Sequence, residues 1–333
     1  MEICICGGGG LGHVCAGVFA SQGHTVNILS GHPQQWSEKI IVKDNDGKDY
    51  FGTLNVVSDS PENVITNTNI ILLCVPGYLI EETLLKIKPY LNKNIKVGAI
   101  VSSTGFFFQA HKVLDNDTCL FGFQRVPYIS RVNEYGKSAY LLGYKQELNV
   151  AIENCESPQV FASELSNLFM TPVNVLNSFY EASLTNSNPI LHTGRLYTMW
   201  GTHEVKPIAE HSLFYADWTD EASQCLIDMD SEFMQLLSIL NVKEGVIPSL
   251  LDYYESADAK SLTAKIRSIK AFNTIKSPMI KTEKGWMPDY GSRYFTEDFP
   301  FGLKFIKDLM EKHNISSPTI DKVYSWGISK ISE

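Results

Sequence analysis

The sequence has little of what marks several large classes of protein. Its 333 residues include 28 lysines and arginines against 37 aspartates and glutamates, a formal net charge of −9. This acidic balance argues against the basic footprint of a nucleic-acid-binding protein. No segment approaches the roughly 20 consecutive apolar residues of a membrane helix. We therefore expect neither nucleic acid nor a membrane as a partner.

The seven cysteines form no recognisable framework. Their number is odd and no Cys-x-x-Cys pair occurs, which excludes a disulfide scaffold and a zinc ribbon. His203-Glu204 and His211 lack the H-E-x-x-H spacing, so no metal is expected. The apolar start of the chain has no basic stretch before it and breaks at four glycines, unlike a signal peptide. These features predict a cytoplasmic protein with reduced thiols.

Short apolar runs alternate with helical patterns through the first half of the chain. The run at 69–75 is apolar without alternation, which predicts a strand buried on both faces of a parallel sheet. The alternation as a whole predicts a doubly wound α/β domain. The predicted strands are 2–6, 25–30, 69–75, 96–101, 119–123 and 139–144, with an inserted hairpin joining 40–42 to 50–52.

The apolar period changes in the second half. Phe161, Leu165, Leu168 and Phe169 recur at spacings of three and four, as on one face of a helix. Further helical segments are predicted at 179–200, 210–240, 246–274 and 300–312. The expected organisation is an α/β domain over residues 1–165 and a helical domain over 166–333.

A glycine-rich turn follows the first predicted strand. Gly7, Gly9 and Gly12 satisfy the GxGxxG pattern, and a helix of small residues follows them. Gly7 permits the tight turn, Gly9 lets backbone amides approach a pyrophosphate, and Gly12 lets helix and strand pack closely. Gly10 and Leu11 complete the predicted turn. Together they predict a dinucleotide site at a helix N-terminus.

The choice of dinucleotide depends on the end of the second strand. An NAD site usually carries an acid there, whereas this chain has Ser30 and His32 and no acid. Since both can donate to a phosphate, NADP(H) is favoured over NAD(H). The alternative is that His32 is a loop residue with no part in cofactor binding. Val75 and Pro76 end the next strand and are expected to line the cofactor pocket. His13 is expected to be an ordinary helix residue.

Four residues of the second half suit carbonyl chemistry. Asn188 and His192 lie four apart, so a helix places both on one face. Histidine can move a proton near neutral pH, and the carboxylate of Asp298 can orient it. The guanidinium of Arg293 can hold a carboxylate by two parallel hydrogen bonds. Each residue taken alone would more simply be a core or surface residue.

The segments around these residues resemble the octopine/nopaline dehydrogenase family. The resemblance covers most of the chain. Its motifs are the glycine turn, Val75-Pro76-Gly77, Arg125-Val126-Pro127-Tyr128, Tyr135-Gly136, Asn186-Ser187-Asn188-Pro189-Ile190-Leu191-His192, Arg293-Tyr294-Phe295-Thr296-Glu297-Asp298-Phe299-Pro300 and Ser317-Pro318-Thr319-Ile320-Asp321.

The resemblance implies a Rossmann domain followed by an all-α domain of the 6-phosphogluconate dehydrogenase-like type. It implies NAD(P)H-dependent reductive condensation of an α-keto acid, commonly pyruvate, with the amino group of an amino acid. Carried over by motif, His192 is the general acid/base and Asp298 its orienting partner. Arg293 anchors the keto acid, and Asn188 shapes the site.

Two other interpretations remain open. A ketopantoate-type reductase shares this architecture but uses a lysine at the start of the helical domain, and none lies between Tyr180 and Asn188. A sensor that binds NAD(P) without turnover would not need His192, Arg293 and Asp298. The segment Tyr128-Ile129-Ser130 departs from the family pattern, which leaves the amino-acid substrate open. The assembly is open as well, with a homodimer as one alternative.

Overall fold

A computed structural model describes residues 1–331. The chain forms two compact units, Met1–Ser183 (the N-terminal unit) and the part from Leu184 onwards (the helical unit). In the part of the chain that the structure describes, no helix has the length and apolarity needed to cross a membrane.

The N-terminal unit contains twelve strands and six helices among the described residues. Its strands are β1 (Glu2–Cys6), β2 (Thr25–Leu29), β3 (Lys39–Asp44), β4 (Asp49–Thr53), β5 (Val57–Ser58), β6 (Ile70–Leu73), β7 (Lys96–Ala99), β8 (Leu120–Phe123), β9 (Tyr128–Glu134), β10 (Ser138–Tyr144), β11 (Leu148–Glu153) and β12 (Val173–Val175). Its helices are α1 (Gly10–Ser21), α2 (Glu62–Ile65), α3 (Gly77–Ile87), α4 (Phe106–Val113), α5 (Pro158–Phe169) and α6 (Phe179–Ser183).

Eight of these strands form the main sheet, in the order β12-β11-β8-β7-β6-β1-β2-β5. Its neighbouring strands are parallel except for β8 and β11. All four residues of β6 are buried, as expected for a strand covered on both faces. The predicted doubly wound, mainly parallel sheet is confirmed.

A second sheet of four strands, in the order β4-β3-β10-β9, covers the other side of α1. The predicted hairpin is its β3–β4 pair. The prediction that 139–144 extends the main sheet is wrong, because β10 pairs with β3 and β9 instead. Small residues of α1 allow this packing: an ideal Cβ on Gly17 would lie 2.4 Å from Val42. Helix α1 is therefore buried from Gly12 to Phe19.

The N-terminal unit extends beyond residue 165. Phe161, Leu165 and Phe169 of α5 are buried in the same core as β1 and α1. Strand β12 then adds an edge to the main sheet beside β11. The two units divide after Ser183, whereas the apolar period alone places the boundary at 165/166. A helix that covers a sheet and a helix of a bundle have the same period, so the pattern does not separate them.

The helical unit is built from seven helices and one hairpin among its described residues. These are α7 (Asn188–Trp200), α8 (Asp220–Leu237), α9 (Leu250–Tyr253), α10 (Ala259–Ser268), α11 (Arg293–Thr296), α12 (Lys304–Lys312), α13 (Pro318–Ile331), β13 (Met279–Thr282) and β14 (Gly285–Pro288). A π-helical turn spans Phe299–Leu303. The predicted helical second domain is confirmed, although the hairpin was not expected.

Glycine permits close packing in the helical unit too. An ideal Cβ on Gly194 of α7 would lie 2.9 Å from Leu226 of α8. On α13, an ideal Cβ at Gly327 would lie 2.0 Å from the ring of Phe299. Phe299 is fully buried, and its ring stacks on Phe295 at 5.6 Å. These contacts fix the segment that carries Asp298.

A substitution in β7 tests the packing of the main sheet. An ideal Cβ on Gly98 would lie 2.4 Å from the buried ring of Phe121. We expect Gly98→Ala to lower the free energy of unfolding by about 1–3 kcal/mol, because the added methyl overpacks the core. The control is Gly143→Ala in β10, where the nearest atom is Ile129 Cδ1 at 3.6 Å. Equal denaturation midpoints for the two variants would contradict the prediction.

Candidate active site

The residues that the sequence predicts for the nucleotide site follow the carboxyl ends of neighbouring strands in the main sheet. Strand β1 lies between β2 and β6, and the three run parallel. Strands β2 and β5 lie on one side of β1, and the chain then crosses to β6 on the other side, which makes the β1/β6 border a topological switch point. The carboxyl ends of these strands are followed by the glycine turn, by Ser30 and by Val75. Open α/β sheets bind their ligands at such an edge.

The glycine turn has the conformation that a pyrophosphate site requires. Gly7 has a φ of +116°, which other residues rarely adopt. An ideal Cβ on Gly12 would lie 2.2 Å from the Gly7 carbonyl oxygen, so α1 starts directly against the turn. Gly9 precedes α1 and has open space where its Cβ would be. No side chain caps this helix end, so its first amides suit a phosphate group of a dinucleotide.

The other predicted cofactor residues, Val75, Pro76, Gly10 and Leu11, differ in their packing around the glycine turn. The side chain of Val75 lies against Gly7, 3.0 Å from its ideal Cβ, and Pro76 precedes α3. Gly10 packs against Ser130 of β9, with 3.0 Å from its ideal Cβ to Oγ. Leu11 packs partly buried against the core. Gly10 and Leu11 can therefore contribute through their backbone.

Ser30 does not present its hydroxyl to a ligand. The side chain is 6% exposed, and Oγ accepts hydrogen bonds from His32 N and Trp36 Nε1, both at 3.2 Å. The Tyr135 hydroxyl lies 3.4 Å from the same oxygen and also packs against Gly8. His32 is exposed. Of the two predicted phosphate donors, His32 alone has an accessible side chain.

His13 has a structural role that the sequence did not reveal. It is fully buried, and its Nδ1 donates to the Gly9 carbonyl oxygen at 3.0 Å. Its Nε2 accepts a hydrogen bond from the amide of Gly136 at 2.7 Å. Trp36 stacks on the ring at 4.3 Å. His13 thus joins the glycine turn to the β9–β10 hairpin.

In the helical unit, His192 and Asp298 are directly bonded. His192 Nδ1 lies 2.8 Å from Asp298 Oδ2, and both side chains are largely buried. Since a carboxylate can only accept, Nδ1 carries the proton and Nε2 is the acceptor nitrogen of the neutral ring. Asp298 lies directly before the π-helical turn, where its carbonyl accepts from Leu303 N at 2.8 Å. A π-helical turn often occurs at a functional site.

Tyr215 is the partner of His192 that sequence reasoning missed. Its hydroxyl lies 2.9 Å from His192 Nε2, and the side chain is 5% exposed. The sequence predicts a helix over 210–240 that would include Tyr215, whereas α8 begins only at Asp220 and Tyr215 lies in the loop before it. No pattern in the sequence therefore gave a reason to select Tyr215. Burial raises the pKa of the Tyr215 hydroxyl well above its usual range.

Asn188 lies in the same helix as His192, and Arg293 lies in α11, which contacts that helix. Arg293 begins α11, and the ring of the next residue, Tyr294, packs 4.6 Å from the His192 ring. Arg293 is largely exposed and is held by Glu297, with Nε and one terminal nitrogen each 2.8 Å from a carboxylate oxygen. Asn188 begins α7, one turn before His192. Its backbone N–H donates to Asn186 Oδ1.

Comparison with known proteins agrees with this geometry. The family model described as NAD/NADP octopine/nopaline dehydrogenase, alpha-helical domain, matches residues 175–331. The model of ketopantoate reductase PanE/ApbA matches residues 3–125, within the N-terminal unit.

Curated relatives span nearly all of the chain. It is 25% identical to octopine dehydrogenase of Pecten maximus, covering 100% of this chain and 91% of that one. It is 26% identical to opine dehydrogenase of Haliotis discus hannai, covering 98% and 89%. The fold matches a solved octopine dehydrogenase with NADH and L-arginine at a TM-score of 0.86, with 24% identity over 99% of this chain and 89% of that one.

A dinucleotide-type α/β unit and a helical unit with a histidine–aspartate pair define an oxidoreductase of the two-domain nicotinamide-dependent class. The family model over the helical unit and the full-length relatives make the assignment narrower. Residues 175–331 match the helical domain of the octopine/nopaline dehydrogenases, and the chain as a whole is similar to full-length octopine and opine dehydrogenases.

The buried His13 should make the N-terminal unit sensitive to acid. Burial lowers the pKa of His13, so below about pH 6.5 the unfolded chain binds a proton that the folded chain does not. Stability from this group is present above that pH and is lost as the pH falls. We therefore expect the stability difference between wild type and His13→Gln to shrink from pH 8 to pH 5, as measured by chemical denaturation. A difference that is constant with pH would show that His13 does not cause the acid sensitivity.

Proposed function

We propose that this chain catalyses the reductive condensation of an α-keto acid, with pyruvate the leading candidate, with the amino group of an amino acid. The observation that carries the proposal is the buried His192–Asp298 pair, 2.8 Å apart, in a unit that matches the octopine/nopaline dehydrogenase model. The names of the relatives, octopine and opine dehydrogenase, support this reaction. One keto acid, one amino-acid ammonium, NAD(P)H and one proton give a dicarboxylate with a protonated secondary amine, NAD(P)⁺ and water.

The nicotinamide cofactor, when bound, supplies the hydride. The amides at the start of α1 and the glycine turn from Gly7 to Gly12 would hold its pyrophosphate, with Val75 and Pro76 beside them. The turn leaves space at Gly9 that a side chain would fill, which supports a bound group there.

His192 would move the proton that the reaction consumes. A neutral imidazole accepts a proton at Nε2, and the carboxylate of Asp298 stabilises the resulting imidazolium through Nδ1. Because the pair is largely buried, water screens this interaction only weakly. Asp298 thus keeps the ring in one tautomer and one orientation.

Arg293 would bind the carboxylate of the keto acid. Its guanidinium is largely exposed, and Glu297 fixes its orientation through two hydrogen bonds. A planar guanidinium is suited to a carboxylate, because it can donate two parallel hydrogen bonds to it. The next residue in the chain, Tyr294, packs its ring 4.6 Å from the His192 ring. Asn188, one turn before His192, would shape the same site.

For the cofactor we propose a preference for NADP(H). Strand β2 ends without a carboxylate, so nothing there repels a 2′-phosphate. The Ser30 hydroxyl already accepts two hydrogen bonds, which leaves His32 as the donor of this segment.

The seven cysteines are free thiols, which supports the expected cytoplasmic location.

The test follows NADPH and NADH oxidation with pyruvate and a panel of amino acids. Oxidation that requires an added amine would support the opine reaction, and oxidation by keto acid alone would favour the reductase that the N-terminal match suggests. Cofactor binding without turnover would favour a sensor. A kcat/KM for NADH above that for NADPH would refute the proposed preference.

Removing the imidazole should slow the chemical step. We expect His192→Asn to lower kcat by about 10²–10⁴-fold, because a positioned acid/base group contributes this much, with little change in the KM of the keto acid. Steady-state kinetics measures both. His203→Asn is the matched control, since His203 is exposed and bonds to Thr202. Unchanged turnover in His192→Asn would refute the acid/base role.

Replacing the guanidinium should weaken binding of the keto acid. Arg293→Lys loses the bidentate geometry, worth about 1.5–3 kcal/mol for a charge-assisted hydrogen bond, so we expect the KM of pyruvate to rise about 10–100-fold. The KM of the amino acid should change less. Arg267→Lys, at an exposed position in α10, is the control. Equal effects on both substrates would contradict the assignment of Arg293 to the keto acid.

A further inference from the structure

Both nitrogens of the His192 ring already have partners. Nδ1 donates to Asp298 Oδ2 at 2.8 Å, so the lone pair of Nε2 accepts the hydroxyl proton of Tyr215 at 2.9 Å. Nε2 is the nitrogen through which His192 would exchange a proton with a substrate. In this arrangement the tyrosine hydroxyl occupies that position. Either the tyrosine leaves during the reaction or the proton passes through it.

The surroundings of Tyr215 hold its ring in place. The ring stacks on Phe272 with centroids 4.3 Å apart, and on Trp218 at 5.9 Å with nearly parallel planes. Phe214 packs edge-on at 4.9 Å. A side chain that is 5% exposed and packed against three aromatic rings has no empty space in which to change rotamer. Packing therefore opposes a movement away from His192.

The backbone on both sides of Tyr215 is held as well. Arg195, on α7 like His192, donates from Nε to the Phe214 carbonyl at 3.3 Å and from a terminal nitrogen to the Asp217 carbonyl at 2.7 Å. Arg195 is itself 4% exposed and lies over the Trp218 ring. The Phe214 amide donates to the Ile275 carbonyl at 2.8 Å. The helix that carries His192 thus also fixes the loop that carries Tyr215.

The pKa of the Tyr215 hydroxyl lies above its usual range, which favours the protonated phenol. Burial is the largest cause that raises the pKa of its hydroxyl, and the nearby Tyr294, Tyr254 and Asp298 act in the same direction. A phenol that stays neutral can donate one hydrogen bond and accept another at the same time. That is the requirement for passing a proton along a chain of hydrogen bonds.

We propose that the Tyr215 hydroxyl relays the proton between His192 Nε2 and the substrate, which makes Asp298, His192 and Tyr215 one hydrogen-bonded chain. The inference rests on the proposed function, because it assigns the group that meets the reacting atoms in that reaction. It assigns Arg195 as a positioning residue for Tyr215.

The relay supplies the proton that the keto acid–amine adduct needs to lose water. That proton replaces the one that the amino-acid ammonium releases to solvent before it attacks the keto carbon. Protonated His192 gives its Nε2 proton to Tyr215 Oη while the Tyr215 hydroxyl proton passes to the hydroxyl of the keto acid–amine adduct. That hydroxyl leaves as water together with the electron pair of its carbon–oxygen bond. His192 ends neutral, Tyr215 ends neutral with a new proton, and Asp298 is unchanged. Solvent then returns one proton to His192.

The first test is Tyr215→Phe, which keeps the ring and removes the hydroxyl. We expect kcat to fall about 100-fold, at the lower end of what an acid/base group contributes, with the KM of pyruvate within about twofold of wild type. Tyr50→Phe is the matched control, because Tyr50 is also buried but lies in β4 of the N-terminal unit. A Tyr215→Phe variant as fast as wild type, or faster, would overturn the relay and leave the hydroxyl as a mere cover of Nε2.

The second test distinguishes a relay from a residue that only positions His192. Single-turnover rates of the wild-type protein in H₂O/D₂O mixtures should curve with the deuterium fraction, because two protons move together. A linear dependence, or no solvent isotope effect, would overturn the relay. This measurement needs no variant, so it decides the matter even if Tyr215→Phe does not fold.

The third test separates this inference from the proposed function. The ¹⁵N signal of His192 Nε2 in the protein without substrate should show an acceptor nitrogen that loses its hydrogen bond in Tyr215→Phe. An unchanged signal would refute the Tyr215–His192 bond whatever the reaction. If the bond is present but no keto acid and amine pair is turned over by the wild type, the proposed function fails and the relay fails with it.

Discussion

The N-terminal unit depends on how closely its first helix can approach other backbone. Helix α1 is buried from Gly12 to Phe19 because it packs against two sheets. Glycine makes both contacts possible, at Gly12 against the turn and at Gly17 against Val42. The buried His13 joins the first turn of α1 to the β9–β10 hairpin of the second sheet, since the Gly136 amide donates to its Nε2 at 2.7 Å. The second sheet therefore supports the start of α1, where the glycine turn lies.

The helical unit fixes its polar groups by burying them among aromatic rings. His192 is bonded through both nitrogens, and each partner is held independently of it. Asp298 directly precedes Phe299, which is fully buried against Phe295, and Tyr215 is stacked on Phe272. Groups placed in this way need little reorganisation when charge develops, which is how an enzyme site lowers a barrier. Arg293 differs, because its side chain is largely exposed.

The two units match different family models. The N-terminal unit carries the glycine turn at the carboxyl end of β1, and the ketopantoate reductase model matches this part of the chain. The helical unit carries the His192–Asp298 pair, and the octopine/nopaline dehydrogenase model matches residues 175–331. Two further features bear only on the choice between NAD(H) and NADP(H). No acid follows β2, and the Ser30 hydroxyl already accepts two hydrogen bonds within the protein.

Much of this could be predicted from the sequence because it is encoded locally. The apolar run of β6, the glycine turn and the helical spacing at Phe161 each depend on near neighbours in the chain, and the structure has the elements they predict. The His192–Asp298 contact also agrees with the family motifs, although no local pattern joins residues 106 positions apart.

Other features were decided only by the tertiary structure. Strand β10 left the main sheet because α1 has a second face to cover. Helix α5 joined the N-terminal unit because its apolar face packs on the sheet, which its period alone does not show. Tyr215 reached His192 because Arg195, Phe272 and Ile275, distant in sequence, hold its loop in place. The sequence by itself determined which elements form and which groups can do chemistry. Long-range packing decided which of those groups meet, because such contacts have no periodicity along the chain.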